Sequence, residues 1–218
     1  MHNLEVLKNK LITYPQGSDN GYTLIGPDGL NNIADLLTKV YNKGIDGDFV
    51  ETGVWKGGAC IYARAVMNHL GMTGKVYACD SYKGLPKPNV EKYPYDLGDI
   101  HFKDEVLRVS KETVKGYFSN FGLDHDVEYV EGWFSDTIPK LKNELKEIAV
   151  LRLDGDMYES TIVVLNELYD LVPVGGYIII DDYCLVGCAK AVEDFRHEKN
   201  ISSPLNRINN CIVYWEKQ

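Results

Sequence analysis

An α/β fold, with a mostly parallel sheet and helices on both faces, is predicted by two features of the chain. From Phe49 to Trp215, short apolar runs alternate with stretches of helical spacing, the pattern of parallel strands connected by helices. The end breaks that pattern: PLNRI and CIVYW, joined by Asn209-Asn210, read as a hairpin that adds an antiparallel edge.

Residues 1–47 precede the alternation and predict a helical cap: a helix from Leu4 to Ile12, a polar turn-rich loop, and a second helix from Leu30 to Lys43. The first strand is DFVET (48–52), followed by helical spacing from Ala59 to Leu70, and the second is KVYACD (75–80). Residues 84–104 carry Pro86, Pro88 and Pro94 with few apolar residues, and a helix is expected to begin near Asp104. A long insertion after a strand's carboxyl end is where active-site lids are built. VEYV (127–130) predicts the third strand, and the Lys/Glu alternation of PKLKNELKEI reads as a solvated helix face. IAVLRLD (148–154) is the fourth strand, Thr161 to Leu171 the next helix, and GYIIIDD (176–182) the fifth strand. No repeat or interdomain linker interrupts the chain, so residues 1–218 are expected to form a single domain.

The composition narrows the function. Of 218 residues, 44% are apolar and 25% charged, which argues against disorder and fibrous repeats. No window is apolar enough for a membrane span, and the N-terminus lacks an apolar signal core, so a cytoplasmic location is expected. The formal net charge of −9 opposes nucleic-acid or anionic-membrane partners. Five cysteines form no CxxC pair. Cys60, Cys79 and Cys211 lie in apolar runs and read as buried free thiols. Cys184 and Cys188 would suit zinc only with two ligands from elsewhere.

In open α/β sheets ligands bind beyond the carboxyl ends of the strands, so the residues there are the candidates. The first strand leads into Glu51-Thr-Gly53 and then Gly57-Gly58 at a helix start, a turn that lets a ligand approach the backbone and free amides. A plain tight turn would use the same glycines. The second strand ends in Asp80-Ser81, placed to accept hydrogen bonds from a ribose diol, although Asp80 also suits a turn cap. Trp133 and Phe134 follow the third strand, where an aromatic ring packs on a base or on the core. The fourth strand ends in Asp154-Gly-Asp156 and the fifth in Asp181-Asp182. Carboxylates converging on one rim repel unless a cation joins them, and oxygen-only ligands select a hard ion such as Mg²⁺. The competing reading is that each acid caps its own helix or turn.

Together these segments resemble the macrocin O-methyltransferase (TylF-type) family. The matching stretches are TLIGPDGLNNI (23–33), GDFVETGVWKGGACIYAR (47–64), ACDSYKGLPKP (78–88), EGWFSDTIP (131–139), AVLRLDGDMYEST (149–161), GGYIIIDDY (175–183) and AVEDFR (191–196). The resemblance implies the seven-stranded class I methyltransferase fold with its last strand antiparallel, S-adenosylmethionine as methyl donor, and Mg²⁺. It implies that Glu51, Thr52 and Gly53, helped by the Thr23-Leu24-Ile25 loop and Gly57, line the methionine end of the donor. Asp80 and Ser81 would take the ribose, and Gly132, Trp133 and Phe134 would flank the adenine. Asp154, Asp181 and Asp182 match the family's metal ligands, and Asp156 the position of a general base. Lys56 stands where the family often has arginine, and Cys184-Leu-Val-Gly-Cys188 departs from its aromatic-containing version.

The resulting expectation is methyl transfer to a hydroxyl of a sugar or sugar-containing natural product, with residues 1–30 and 84–104 as lid. Phenols are the alternative acceptors. Tyr14, Tyr22, Tyr93, Tyr95 and His101 suit either class. A homo-oligomer is expected. A nucleotide-dependent oxidoreductase would share the glycine turn and Asp80 but leaves the rim carboxylates unexplained, and a non-catalytic cofactor-binding protein would have no reason to keep them.

Overall fold

The sheet holds seven strands in the order β3-β2-β1-β4-β5-β7-β6. They are β1 (Asp48–Thr52), β2 (Val76–Asp80), β3 (Val127–Glu131), β4 (Ile148–Leu153), β5 (Tyr177–Ile180), β6 (Asn206–Arg207) and β7 (Val213–Glu216). The computed structural model describes residues 2–12 and 21–218. β1 to β5 pair in parallel, and β7 runs antiparallel to both β5 and β6. The predicted mixed sheet with an antiparallel end is therefore observed.

Alternation along the central strands sends successive side chains to opposite faces. Phe49, Val150 and Ile179 pack on one side with α1 (Leu4–Leu11), α2 (Gly26–Asn42), α3 (Gly58–Leu70) and α4 (Lys111–Asn120). Val50, Leu151 and Ile178 pack on the other with α5 (Phe134–Leu141), α6 (Tyr158–Leu168) and α7 (Val186–Glu198). β4 is buried along its whole length, which is why its sequence is nearly continuous in apolar residues. Among the described residues, no helix is long and apolar enough to cross a membrane.

Several boundaries differ from expectation. α2 begins at Gly26 rather than Leu30, because Pro27 occupies its first turn, where a missing N–H costs nothing. No α-helix starts near Asp104. Single 3-10 turns span His101–Lys103 and Glu105–Leu107, and α4 waits for Ser110, whose Oγ accepts the Thr113 N–H at 3.2 Å. The helix expected across PKLKNELKEI starts earlier, at Phe134, and ends at Leu141. Burial of Ile138 and Leu141 at helical spacing holds it there, with Pro139 inside. The terminal hairpin is looser than an Asn-Asn turn: residues 208–212 connect its strands, and Asn209 Oδ1 accepts the N–H groups of Cys211 and Ile212 at 2.9 and 2.8 Å.

The cysteine reading changes as well. Cys184 and Cys211 form a disulfide, which removes Cys211 from the free thiols and Cys184 from any zinc site. The loop after β5 meets the hairpin there, and the Tyr183 N–H donates to the Cys211 carbonyl at 3.0 Å. Cys60, Cys79 and Cys188 are free and buried.

Candidate active site

β1 pairs with β2 on one side and β4 on the other, so the chain's winding reverses at the β1/β4 junction. A crevice opens beyond the strand ends at such a switch point. It is a cavity of about 460 Å³, walled by strand ends, the starts of α3 and α6, and residues 84–87 and 89 of the insertion. That size lies within the range of small-molecule sites.

Of the residues singled out from the sequence, Thr23, Leu24, Ile25, Glu51, Gly53, Asp80, Ser81, Gly132, Trp133 and Phe134 line this cavity, with Asp154, Asp156, Asp181 and Asp182. Thr52 and Gly57 do not. Thr52 is buried within β1, where its carbonyl accepts the Asp154 N–H at 2.8 Å. Gly57 caps α3 in a left-handed conformation and faces α4, since a Cβ there would meet Val114 at 3.0 Å. The suggested acceptor aromatics also sit off the cavity lining. Tyr22 packs edge-on against Tyr117 and Phe121, while Tyr93 and Tyr95 pack against Tyr158. His101 pairs with Asp99 at 3.1 Å, and Tyr14 lies outside the described residues.

The glycine turn has a specific cause. At Gly53, φ is 92° and a Cβ would fall 1.5 Å from the Asp154 carbonyl oxygen, so only glycine lets the ends of β1 and β4 come together. Asp80 stitches this turn to β2. Its carboxylate accepts the N–H groups of Val54 and Tyr82, each at 2.7 Å, with longer contacts of 3.4 Å from Trp55 N and Ser81 Oγ. Turn capping and ribose binding are therefore compatible here, because the long contacts leave lone pairs in reach of a ligand. Trp133 is 38% exposed and so presents a ring to the cavity rather than to the core.

The acids meet at the strand ends. Asp154, Asp181 and Asp182 each offer one oxygen, and these atoms lie within 4.8 Å of one another. Asp182 Oδ2 accepts the Asp156 N–H at 3.0 Å. Arg152, unremarked in the sequence reading, is 1% exposed and runs through the cluster. Its Nη1 bonds Glu51 and lies 2.9 Å from Asp154 Oδ2; its Nη2 lies 2.6 Å from Asp181 Oδ1, an ion pair outside hydrogen-bond alignment. A lone arginine inside an apolar strand was the signal, since a buried guanidinium must find acceptors for its several donors.

One arginine does not offset this much negative charge. Burial, opposed by Arg152, pushes the carboxyls of Glu51 and Asp181 up to about 7. Burial and then the charge of Asp154 push Asp156 up to about 6, and the same pair of causes holds Asp182 well above the carboxylate range. A cluster whose members gain protons in this way is one that a divalent cation relieves. The donor set is all oxygen, and Arg152 takes one oxygen each of Asp154 and Asp181, leaving the second oxygen of each for another partner. These residues fit a hard cation such as Mg²⁺.

Known proteins resemble this chain over most of its length. A family model described as "Macrocin-O-methyltransferase (TylF)" matches residues 12–217. The demethyldecarbamoylnovobiocin O-methyltransferase of Streptomyces niveus is 40% identical over 202 residues, covering 91% of this chain and 76% of that protein. The 8-demethyl-8-(2,3-dimethoxy-alpha-L-rhamnosyl)-tetracenomycin-C 4'-O-methyltransferase of Streptomyces olivaceus is 39% identical over 197 residues, covering 89% and 75%. The solved structure of the O-methyltransferase NovP superposes with a TM-score of 0.92 at 36% identity, covering 99% of this chain and 98% of that one.

Proposed function

The chain belongs to the macrocin O-methyltransferase (TylF) family, and from that premise we propose that it methylates a hydroxyl of a sugar or sugar-containing natural product with the help of a hard divalent cation. It is an S-adenosylmethionine-dependent O-methyltransferase with a class I fold. The observation that supports the finer reading most is the convergence of Asp154, Asp181 and Asp182 on the cavity that also holds the Gly53 turn and Asp80. A sugar acceptor is favoured by the rhamnosyl group in the name of the Streptomyces olivaceus relative.

The donor, when bound, supplies an electrophilic methyl sulfonium. A cation held by Asp154, Asp181 and Asp182 would make a hydroxyl beside it more acidic. The rest of the work falls to the chain. Asp80 and Ser81 would hold the ribose and Trp133 and Phe134 the adenine, while Glu51 and the Thr23-Leu24-Ile25 loop face the methionine end. Asp156, which lines the cavity beside Asp154, would take the acceptor's proton. Holding donor and acceptor in line removes several kcal/mol of barrier, within the ~7–11 kcal/mol limit for positioning. Residues 1–218 act as one domain in this reading, with 1–47 as cap and 84–104 as the lid that excludes water.

A cytoplasmic, homo-oligomeric enzyme completes the proposal; in a reducing compartment Cys184 and Cys211 would be held as thiols. Calorimetric titration of S-adenosylhomocysteine, with NAD⁺ as control, followed by methyl transfer to panels of glycosides and phenols, tests it. Binding of the homocysteine product alone and turnover of glycosides are expected. Turnover of phenols only would overturn the sugar assignment, and NAD⁺ binding would overturn the donor.

A further inference from the structure

Arg152 sits where two ligand sets meet. In the parallel register of β1 and β4 it lies beside Glu51, and the two side chains share the sheet face covered by α3. Glu51 is 2% exposed, and its other oxygen, Oε2, lies 2.7 Å from Cys60 Sγ of α3. The arginine therefore supplies the charge that lets Glu51 stay in the core. Its fork does not stop there. Nη1 also reaches Asp154 at the end of its own strand, and Nη2 reaches Asp181 at the end of β5. Each of those aspartates keeps a second oxygen for another partner. Asp182 is held differently: its recorded bond is from the Asp156 N–H, and among the described residues no ion pair joins it to Arg152.

We propose that Arg152 is a positioning residue shared by two sites: its guanidinium ties Glu51, on the donor's side of the cavity, to Asp154 and Asp181, on the cation's side, so that both affinities depend on a side chain that touches neither ligand. The inference rests on the function proposed above. Its physical basis is the planar guanidinium, which presents donors in a rigid fork and spans three carboxylates at once. A lysine ammonium is a point charge on a flexible stem and fixes no such angle. Ligand orientation by residues one step removed from the ligand is a recurrent requirement of metal sites. Here the same residue would also set the rotamer of Glu51.

The test is calorimetry on the full chain, with S-adenosylhomocysteine titrated in the presence of chelator and Mg²⁺ titrated alone. Arg152→Lys keeps the charge and loses the fork; it should weaken both ligands by about tenfold or more, with a cooperative thermal transition retained. Asp181→Asn, compared with Asp170→Asn at an exposed surface carboxylate, separates the proposal from a general effect of a lost acid. With chelator present, Asp181→Asn should weaken the homocysteine ligand by about threefold or more, because it frees one branch of Arg152, whereas Asp170→Asn, outside both sites, should stay within about twofold of wild type. Native affinities in Arg152→Lys, loss of one ligand only, or equal behaviour of the two aspartate variants would each overturn the proposal. Should Arg152→Lys fail to fold, the aspartate comparison decides alone. Wild-type protein that binds neither ligand would instead overturn the proposed function itself.

Discussion

The Asp156 backbone sits at φ 61°, a conformation that a residue with a side chain adopts at some cost. That turn aims the Asp156 N–H at Asp182 and leaves its carboxyl in the cavity. Burial and then the charge of Asp154 raise its proton affinity, and His101 and a side-chain contact with Asp182 lower it by less. With Asp156 as the proposed base, Asp156→Asn should lower kcat by about 10² to 10⁴-fold. Affinity for S-adenosylhomocysteine should stay near wild type, which steady-state kinetics and calorimetry together check. Unchanged kcat would move the base elsewhere. The convergence of the acids on one rim was readable, because each follows an apolar run. Arg152 was readable only as an anomaly, since its partner Glu51 is 101 positions away and becomes its neighbour through strand register. Gly57 misled for the opposite reason: its glycine serves packing against Val114 and Phe118, and the sequence has no mark that separates that use from ligand approach.

Helix α6 shows how an element can be completed from far along the chain. Its N-cap, Met157, offers no side-chain bond. The cap comes instead from Asp96 in the insertion, whose carboxylate accepts the N–H groups of Tyr158 at 2.6 Å and Glu159 at 3.1 Å. Asp96 is 2% exposed, and Gly187 of α7 packs so closely that a Cβ there would lie 2.6 Å from Asp96 Oδ1. The segment that walls the cavity thus also fixes the helix that follows Asp154-Gly-Asp156. Asp96→Ala should cost about 0.5–2 kcal/mol of stability, a typical loss for a helix cap. Thermal denaturation checks it, and an unchanged midpoint would mean that water replaces the carboxylate fully. The sequence placed this helix at Thr161 because its start signal is absent locally. By contrast Ser110, a local cap, marks the true start of α4 well after the expected one. The hairpin was legible in kind but not in length, because Asn209 bonds inward to its own loop and lengthens the turn.

For the whole molecule, the alternation of apolar runs and helical stretches sufficed to predict a sheet with helices on both faces, since that burial pattern has few other solutions. The strand order was not in the pattern. Placing β1 between β2 and β4 is what creates the crevice, and it brings Glu51, Asp80, Asp154 and Asp181 to one rim from strand ends up to 130 residues apart. The Cys184–Cys211 disulfide belongs to the same class of fact, a contact between two loops that only the assembled sheet brings together. The proposed chemistry turns on a divalent cation held at this rim. Calorimetric titration of Mg²⁺ into chelator-treated protein tests it without knowledge of the acceptor, by comparing wild type with Asp154→Ala. A saturable site is expected in the wild type, with one ion per chain, and its loss in a variant that keeps a cooperative thermal transition. Absence of binding in the wild type, or equal binding in the folded variant, would contradict it.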